Sequence, residues 1–123
     1  MELEVKILVI EDDRNLGLLI VSYVKKMGYP DVTYKGDCDF SIDWMSTENF
    51  DLIIADWHLP GRSGLELFKV MQGREDLKKI PFLMLTSDDS TKELTESGIR
   101  EYLFKSVDYK ILKEKVDKLL SGK

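Results

Sequence analysis

The chain has 123 residues, one domain's worth, and at this size folding buries roughly two-thirds of the surface the unfolded chain exposes. Hydrophobic residues make up 43% and charged residues 33%, which is too apolar for a disordered chain. Lys plus Arg number 18 against 23 Asp plus Glu; a net charge of −5 offers no basic surface to neutralise phosphates and predicts no direct nucleic-acid binding.

Residues 5–10 are a continuous apolar, β-branched run broken only by Lys6, the pattern of a buried strand. Leu16, Leu19, Ile20, Tyr23, Val24 and Met27 then recur at helical spacing. Asp13 stands where that helix needs a cap, and Gly28-Tyr29-Pro30 ends it. A short strand is expected at 32–34, then a second helix carrying Phe40, Ile42, Trp44 and Met45. Residues 52–55 are the next buried strand, and Leu65, Leu67, Phe68 and Met71 follow as a helix after the Pro60-Gly61 break. A fourth strand is expected at 80–85, a short helix at 89–97 closed by Gly98, and a fifth strand at 99–104. Leu112, Val116, Leu119 and Leu120 line the last helix, with Asp108 as its cap. Five βα units in one chain, with strands apolar on both faces, predict a single α/β domain over residues 1–123. Its architecture is a three-layer sandwich of a parallel sheet between helices.

The longest apolar runs have four residues, far short of a membrane span, and the acidic start Met1-Glu2-Leu3-Glu4 is unlike a signal peptide. The single cysteine, Cys38, has no internal partner and points to a reducing compartment. A cytoplasmic location with no membrane association is therefore expected.

Functional groups in such sheets collect beyond the carboxyl ends of the strands. Here the first strand runs into Glu11-Asp12-Asp13, the third into Asp56-Trp57-His58, the fourth into Thr86-Ser87 and the fifth into Lys105-Ser106. Taken singly, an Asp after a strand is usually a cap or turn residue, Thr86 a cap and Lys105 a solvated charge. Taken together they suit one task. Two carboxylates ~4 Å apart repel by ~4 kcal/mol at an effective dielectric near 20, so several in one pocket must hold protons or bind a cation. All-oxygen ligation suits Mg²⁺, or Mn²⁺ in its place; with no second histidine, His58 does not make a zinc site. A carboxylate beside such a metal, with an ammonium and a hydroxyl near it, is arranged for phosphoryl transfer, with Asp56 the candidate nucleophile.

Val9-Ile10-Glu11-Asp12-Asp13, the run from Asp51 to Pro60, Gly64-Leu65-Glu66, Leu85-Thr86-Ser87 and Tyr102-Leu103-Phe104-Lys105 together resemble a bacterial two-component response-regulator receiver domain of the CheY-like kind. The resemblance spans essentially the whole chain, in order. It implies the flavodoxin-like doubly wound fold, a five-stranded parallel sheet of order 2-1-3-4-5 with five helices. It implies a phosphorylation-dependent signalling switch rather than an enzyme. Asp56 would accept phosphate from a histidine kinase or histidine phosphotransfer protein. Asp12 and Asp56 would ligate the metal directly, His58 through its backbone carbonyl and Glu11 through water. Thr86 and Lys105 would contact the phosphoryl group, Tyr102 would be the switch aromatic, and the face made by the fourth helix, fifth strand and fifth helix would meet an output protein.

Three departures from the family pattern carry expectations of their own. Lys105 is followed by Ser106 where proline with a cis bond is usual, which predicts a trans bond, altered loop geometry and a consequence for the reach of Lys105. The segment from Thr86 to Gly98 is short, which predicts a stunted fourth helix and a remodelled output face. His58 and Asp88 flank the acceptor and are expected to tune hydrolysis of its phosphate through water access.

Other classes fit less well. A Mg²⁺-dependent phosphohydrolase with an Asp nucleophile commonly places a second Asp two residues on, where this chain has His58. A flavin carrier of the same topology cradles a phosphate on its first loop, which Glu11-Asp12-Asp13 would repel. A receiver-like interaction module that does not switch is the third alternative. Trp57 is read as an exposed loop tryptophan, either a reporter of metal binding or a residue that merely packs. Met27, Met45, Met71 and Met84 are read as core filling.

Overall fold

Aliphatic and β-branched side chains dominate five short segments, and their backbone groups must pair with one another once buried. In the computed structural model, which describes residues 5–59, 61–87, 94 and 96–121, they do so as strands β1 (Lys6–Ile10), β2 (Asp31–Lys35), β3 (Leu52–Asp56), β4 (Phe82–Thr86) and β5 (Tyr102–Phe104). All pairings are parallel and the sheet order is β2-β1-β3-β4-β5. Among the described residues four helices accompany them: α1 (Arg14–Lys26), α2 (Ile42–Glu48), α3 (Gly64–Gln72) and α4 (Tyr109–Ser121). The helix expected at 89–97 lies mostly outside the described residues; Leu94, Glu96 and Ser97 are helical.

The strands alternate between two cores because successive side chains point to opposite faces. Leu8, Ile10, Ile53, Ala55 and Met84 face one way, against Met45 of α2 and Leu67 and Met71 of α3. Ile7, Val9, Leu52, Ile54, Leu83 and Leu85 face the other, against Ile20 and Val24 of α1 and Leu112 and Val116 of α4. Three layers result. The same three methionines, Met45, Met71 and Met84, are fully buried, while Met27 is half-buried against the second core.

The helix caps follow their sequence signals. Asp13 accepts from the Leu16 amide and Asp108 from the Lys110 and Ile111 amides. Ser63 and Glu66 form a reciprocal capping box on α3. β4 and β5 differ from expectation for local reasons. β4 begins at Phe82 because Pro81 lends only its carbonyl, to the Ile53 amide. β5 is shorter than the expected 99–104 because the Ile99 amide donates to the Ser97 hydroxyl instead of a ladder partner. No described helix is long and apolar enough to cross a membrane.

Candidate functional site

β1 and β3 are neighbours at the centre of the sheet, with the chain leaving them toward opposite edges, so a crevice opens beyond their carboxyl ends. Glu11 follows β1 directly, and Asp56 ends β3. Both are buried, at 0% and 1% exposure, while Asp12 is exposed. One carboxylate oxygen from each of Glu11, Asp12 and Asp56 lies within 4.8 Å of the others, so the two acidic segments do meet.

Lys105 enters from beyond the edge strand β5 and passes the end of β4. Its Nζ donates to Asp56 Oδ2 at 2.8 Å and to Glu11 Oε2 at 3.4 Å. The Lys105–Ser106 bond is trans, as expected, and the lysine reaches the acidic cluster without a proline after it. Its ammonium pKa is raised: burial works against the charge, but the hydrogen bond and charge of Asp56, with Glu11, outweigh it.

Burial pushes the Glu11 carboxyl up to about 7, with the neighbouring Asp12 and Asp56 adding to the rise. A hydrogen bond with Glu11 in turn holds Asp12 below the usual carboxylate range. Glu11 Oε2 accepts from the Asp13 amide at 2.9 Å, whereas the buried Oε1 makes no hydrogen bond and has only the Lys105 ammonium 3.3 Å away as an ion-pair partner. A buried carboxylate oxygen without a hydrogen bond, beside two further carboxylates, is a site a hard divalent cation fits. The acidic triad is thus consistent with the Mg²⁺ site of receiver domains. Asp56 Oδ1 accepts from the His58 amide at 3.1 Å, which fixes the Asp56 rotamer.

Thr86 is fully buried at the end of β4, and its carbonyl accepts from the Lys105 amide at 3.0 Å. Its hydroxyl donates to the Ser87 carbonyl at 2.9 Å. A cavity of about 380 Å³ opens beside it, lined by Thr86, Ser87, Phe104, Lys105 and Ser106. Tyr102 is half-buried, edge-on to Phe104 with centroids 5.8 Å apart. His58 is exposed beside Asp56, and Asp88 lies outside the described residues. Trp57 is 4% exposed and packs into the first core, which corrects its reading as exposed and agrees with the packing alternative.

Two residues of the site were not legible as such. Gly64 carries no side chain because a Cβ there would lie 2.2 Å from the Asp56 carbonyl oxygen; its amide donates to the Trp57 carbonyl at 3.0 Å. The hydroxyl of Tyr34, which sequence marks only as a strand residue, donates to the Glu11 carbonyl at 2.6 Å.

A family model for the response regulator receiver domain matches residues 7–117. The chemotaxis protein CheY of Pseudomonas aeruginosa is 28% identical over 117 residues, covering 93% of this chain and 94% of that protein. The structure of the signal receiver domain of a signal transduction histidine kinase from Syntrophus aciditrophicus superposes with a TM-score of 0.86 at 26% identity, covering 95% of this chain and 90% of that one. The Francisella response regulator 1452 receiver domain gives a TM-score of 0.84 at 28% identity, covering 96% and 98%. With its sheet order, its acidic crevice and these relatives in agreement, the chain belongs to the response regulator receiver domain family, CheY-like signalling receivers of two-component systems rather than conventional enzymes.

Proposed function

We propose that the chain is a phosphorylation-controlled switch in which Asp56 accepts a phosphoryl group and the face around β5 and α4 passes the change to an output protein. The observation that carries this reading is the meeting of Glu11, Asp12 and Asp56 within ligand distance of one another, with Lys105 Nζ 2.8 Å from Asp56.

The donor is a phosphohistidine of a histidine kinase or phosphotransfer protein. Asp56 Oδ attacks phosphorus, a P–O bond forms, the P–N bond breaks, and the imidazole leaves with a proton from water. Bound Mg²⁺, held by Asp12, Asp56 and the His58 carbonyl with Glu11 behind them, would supply charge neutralisation for the transferring oxygens. Lys105 offers a second cation on the same oxygens, and the His58 amide keeps Asp56 aimed. Thr86 exchanges its Ser87 carbonyl for a phosphoryl oxygen, a short rotation at a buried position beside an existing cavity. Tyr102 follows into the room released. His58, exposed beside the acceptor, and Asp88 set water access to the acyl phosphate.

The output surface is the outer side of β5 and α4. A cavity of about 410 Å³ there is lined by Arg100, Tyr102, Phe104, Ile111 and Lys115 among others, with Phe104 and Ile111 each more than two-fifths exposed. Incubation with acetyl phosphate and Mg²⁺ tests the reading. The expected product is wild-type protein heavier by one phosphoryl group, with none in Asp56→Asn or in EDTA; an unmodified wild-type protein would make the chain a receiver-like interaction module instead.

A further inference from the structure

The geometry points to Tyr34 as a positioning residue: its hydroxyl latches the turn that carries Glu11 and Asp12, and Gly17 is the socket for its ring. This rests on the reading of Glu11, Asp12 and Asp56 as a divalent-cation site.

Tyr34 stands opposite Val9 in the β1–β2 pairing, so its side chain lies over the same face and reaches along the strand direction to the residue two places beyond Val9. There its hydroxyl donates to the Glu11 carbonyl at 2.6 Å. The next residue of β2 holds Glu11 through its other backbone group, the Glu11 amide donating to the Lys35 carbonyl at 3.1 Å. Both backbone groups of Glu11 are thus tied to two consecutive residues of an edge strand. Asp12 is exposed, and its position depends on the turn that these bonds hold.

The ring has room only because of Gly17. A Cβ at that position would lie 2.3 Å from Tyr34 Cε1. Glycine inside a helix is unfavourable relative to alanine, so its presence in the second turn of α1 calls for a packing reason, and the tyrosine ring is that reason. A phenylalanine would fill the same socket. Only the hydroxyl distinguishes a latch from packing.

The test compares wild type with Tyr34→Phe by calorimetric titration with Mg²⁺ and by hydrogen exchange of the Asp13 amide in EDTA. Tyr34→Phe should melt close to wild type, exchange the Asp13 amide faster and bind Mg²⁺ about three- to tenfold more weakly. Gly17→Ala, by displacing the ring, should weaken Mg²⁺ similarly; if it fails to fold, Tyr34→Phe still decides the matter. Unchanged exchange in Tyr34→Phe overturns the latch, and so does unchanged Mg²⁺ affinity where wild type binds the ion. Wild type that takes up no Mg²⁺ removes the metal reading instead, and exchange in EDTA then decides the latch alone.

Discussion

Lys105 Nζ donates to Asp56 Oδ2 at 2.8 Å, although the lysine follows the edge strand β5 and the aspartate ends the central strand β3. Two strand spacings, ~10 Å, separate those positions, and only a long side chain crosses them. The ammonium therefore balances two buried carboxylates.

Removing that cation should have two opposite effects. In Mg²⁺-free buffer Lys105→Ala leaves Glu11 and Asp56 without their charge partner and costs about 1–2 kcal/mol, read as a lower urea midpoint. Mg²⁺ should bind the variant more tightly, because the ammonium no longer competes for Asp56 Oδ2. A variant that matches wild type in both measurements would show that the ion pair contributes nothing at this site.

The elevated carboxyl of Glu11 makes stability depend on pH. Folded Glu11 titrates near 7 and the unfolded chain near the ordinary 4.5, so the folded state holds the extra proton between those values. Its contribution is fully present below the unfolded value and is lost as pH rises through the folded one. In EDTA, Glu11→Gln should therefore become more stable relative to wild type between about pH 5 and about pH 8. Saturating Mg²⁺ should reverse the order at the higher pH, since wild type alone keeps the full set of carboxylates. An identical stability difference at both pH values would contradict the assignment.

Asp12 and Asp56 separate the metal from the acceptor. Asp12 is exposed, so Asp12→Asn should change stability by about 0.5 kcal/mol or less yet weaken Mg²⁺ about tenfold or more. Asp56→Asn should abolish phosphoryl uptake altogether. Calorimetry and intact mass read the two effects independently, and undiminished Mg²⁺ binding by Asp12→Asn would move the cation elsewhere.

Gly64 sets how closely α3 approaches Asp56. The clash of a Cβ there is with backbone, the Asp56 carbonyl, which no rotamer change relieves. Gly64→Ala should cost about 1–3 kcal/mol in thermal unfolding and should slow phosphoryl uptake by shifting Asp56. Gly73→Ala, whose Cβ would meet only ordinary contact at 3.5 Å, serves as the control.

The acidic turn was legible because Glu11-Asp12-Asp13 and Asp56 each end an apolar run, and runs this short and rich in β-branched residues read as buried strands. The caps were legible too, being contacts between residues three apart. The sheet order came from the resemblance to a family, since periodicity marks strands but not their neighbours. Tyr34 and the burial of Trp57 were invisible for a different reason: each depends on which strands and helices meet. A lone glycine inside the α1 pattern was the one local hint, and it named no partner.

What the sequence determined by itself was therefore local: which segments bury both faces, where each ends, and which polar groups stand at those ends. The tertiary structure decided what those ends do to one another. Parallel pairing of β2, β1 and β3 sets Tyr34, Glu11 and Asp56 side by side across separations of 23 and 45 residues. Burial there raises the Glu11 carboxyl, a hydrogen bond with Glu11 lowers that of Asp12, and Lys105 reaches across the end of β4 to Asp56. Charges shift one another's protonation only at close range and low dielectric, and the folded sheet alone supplies both.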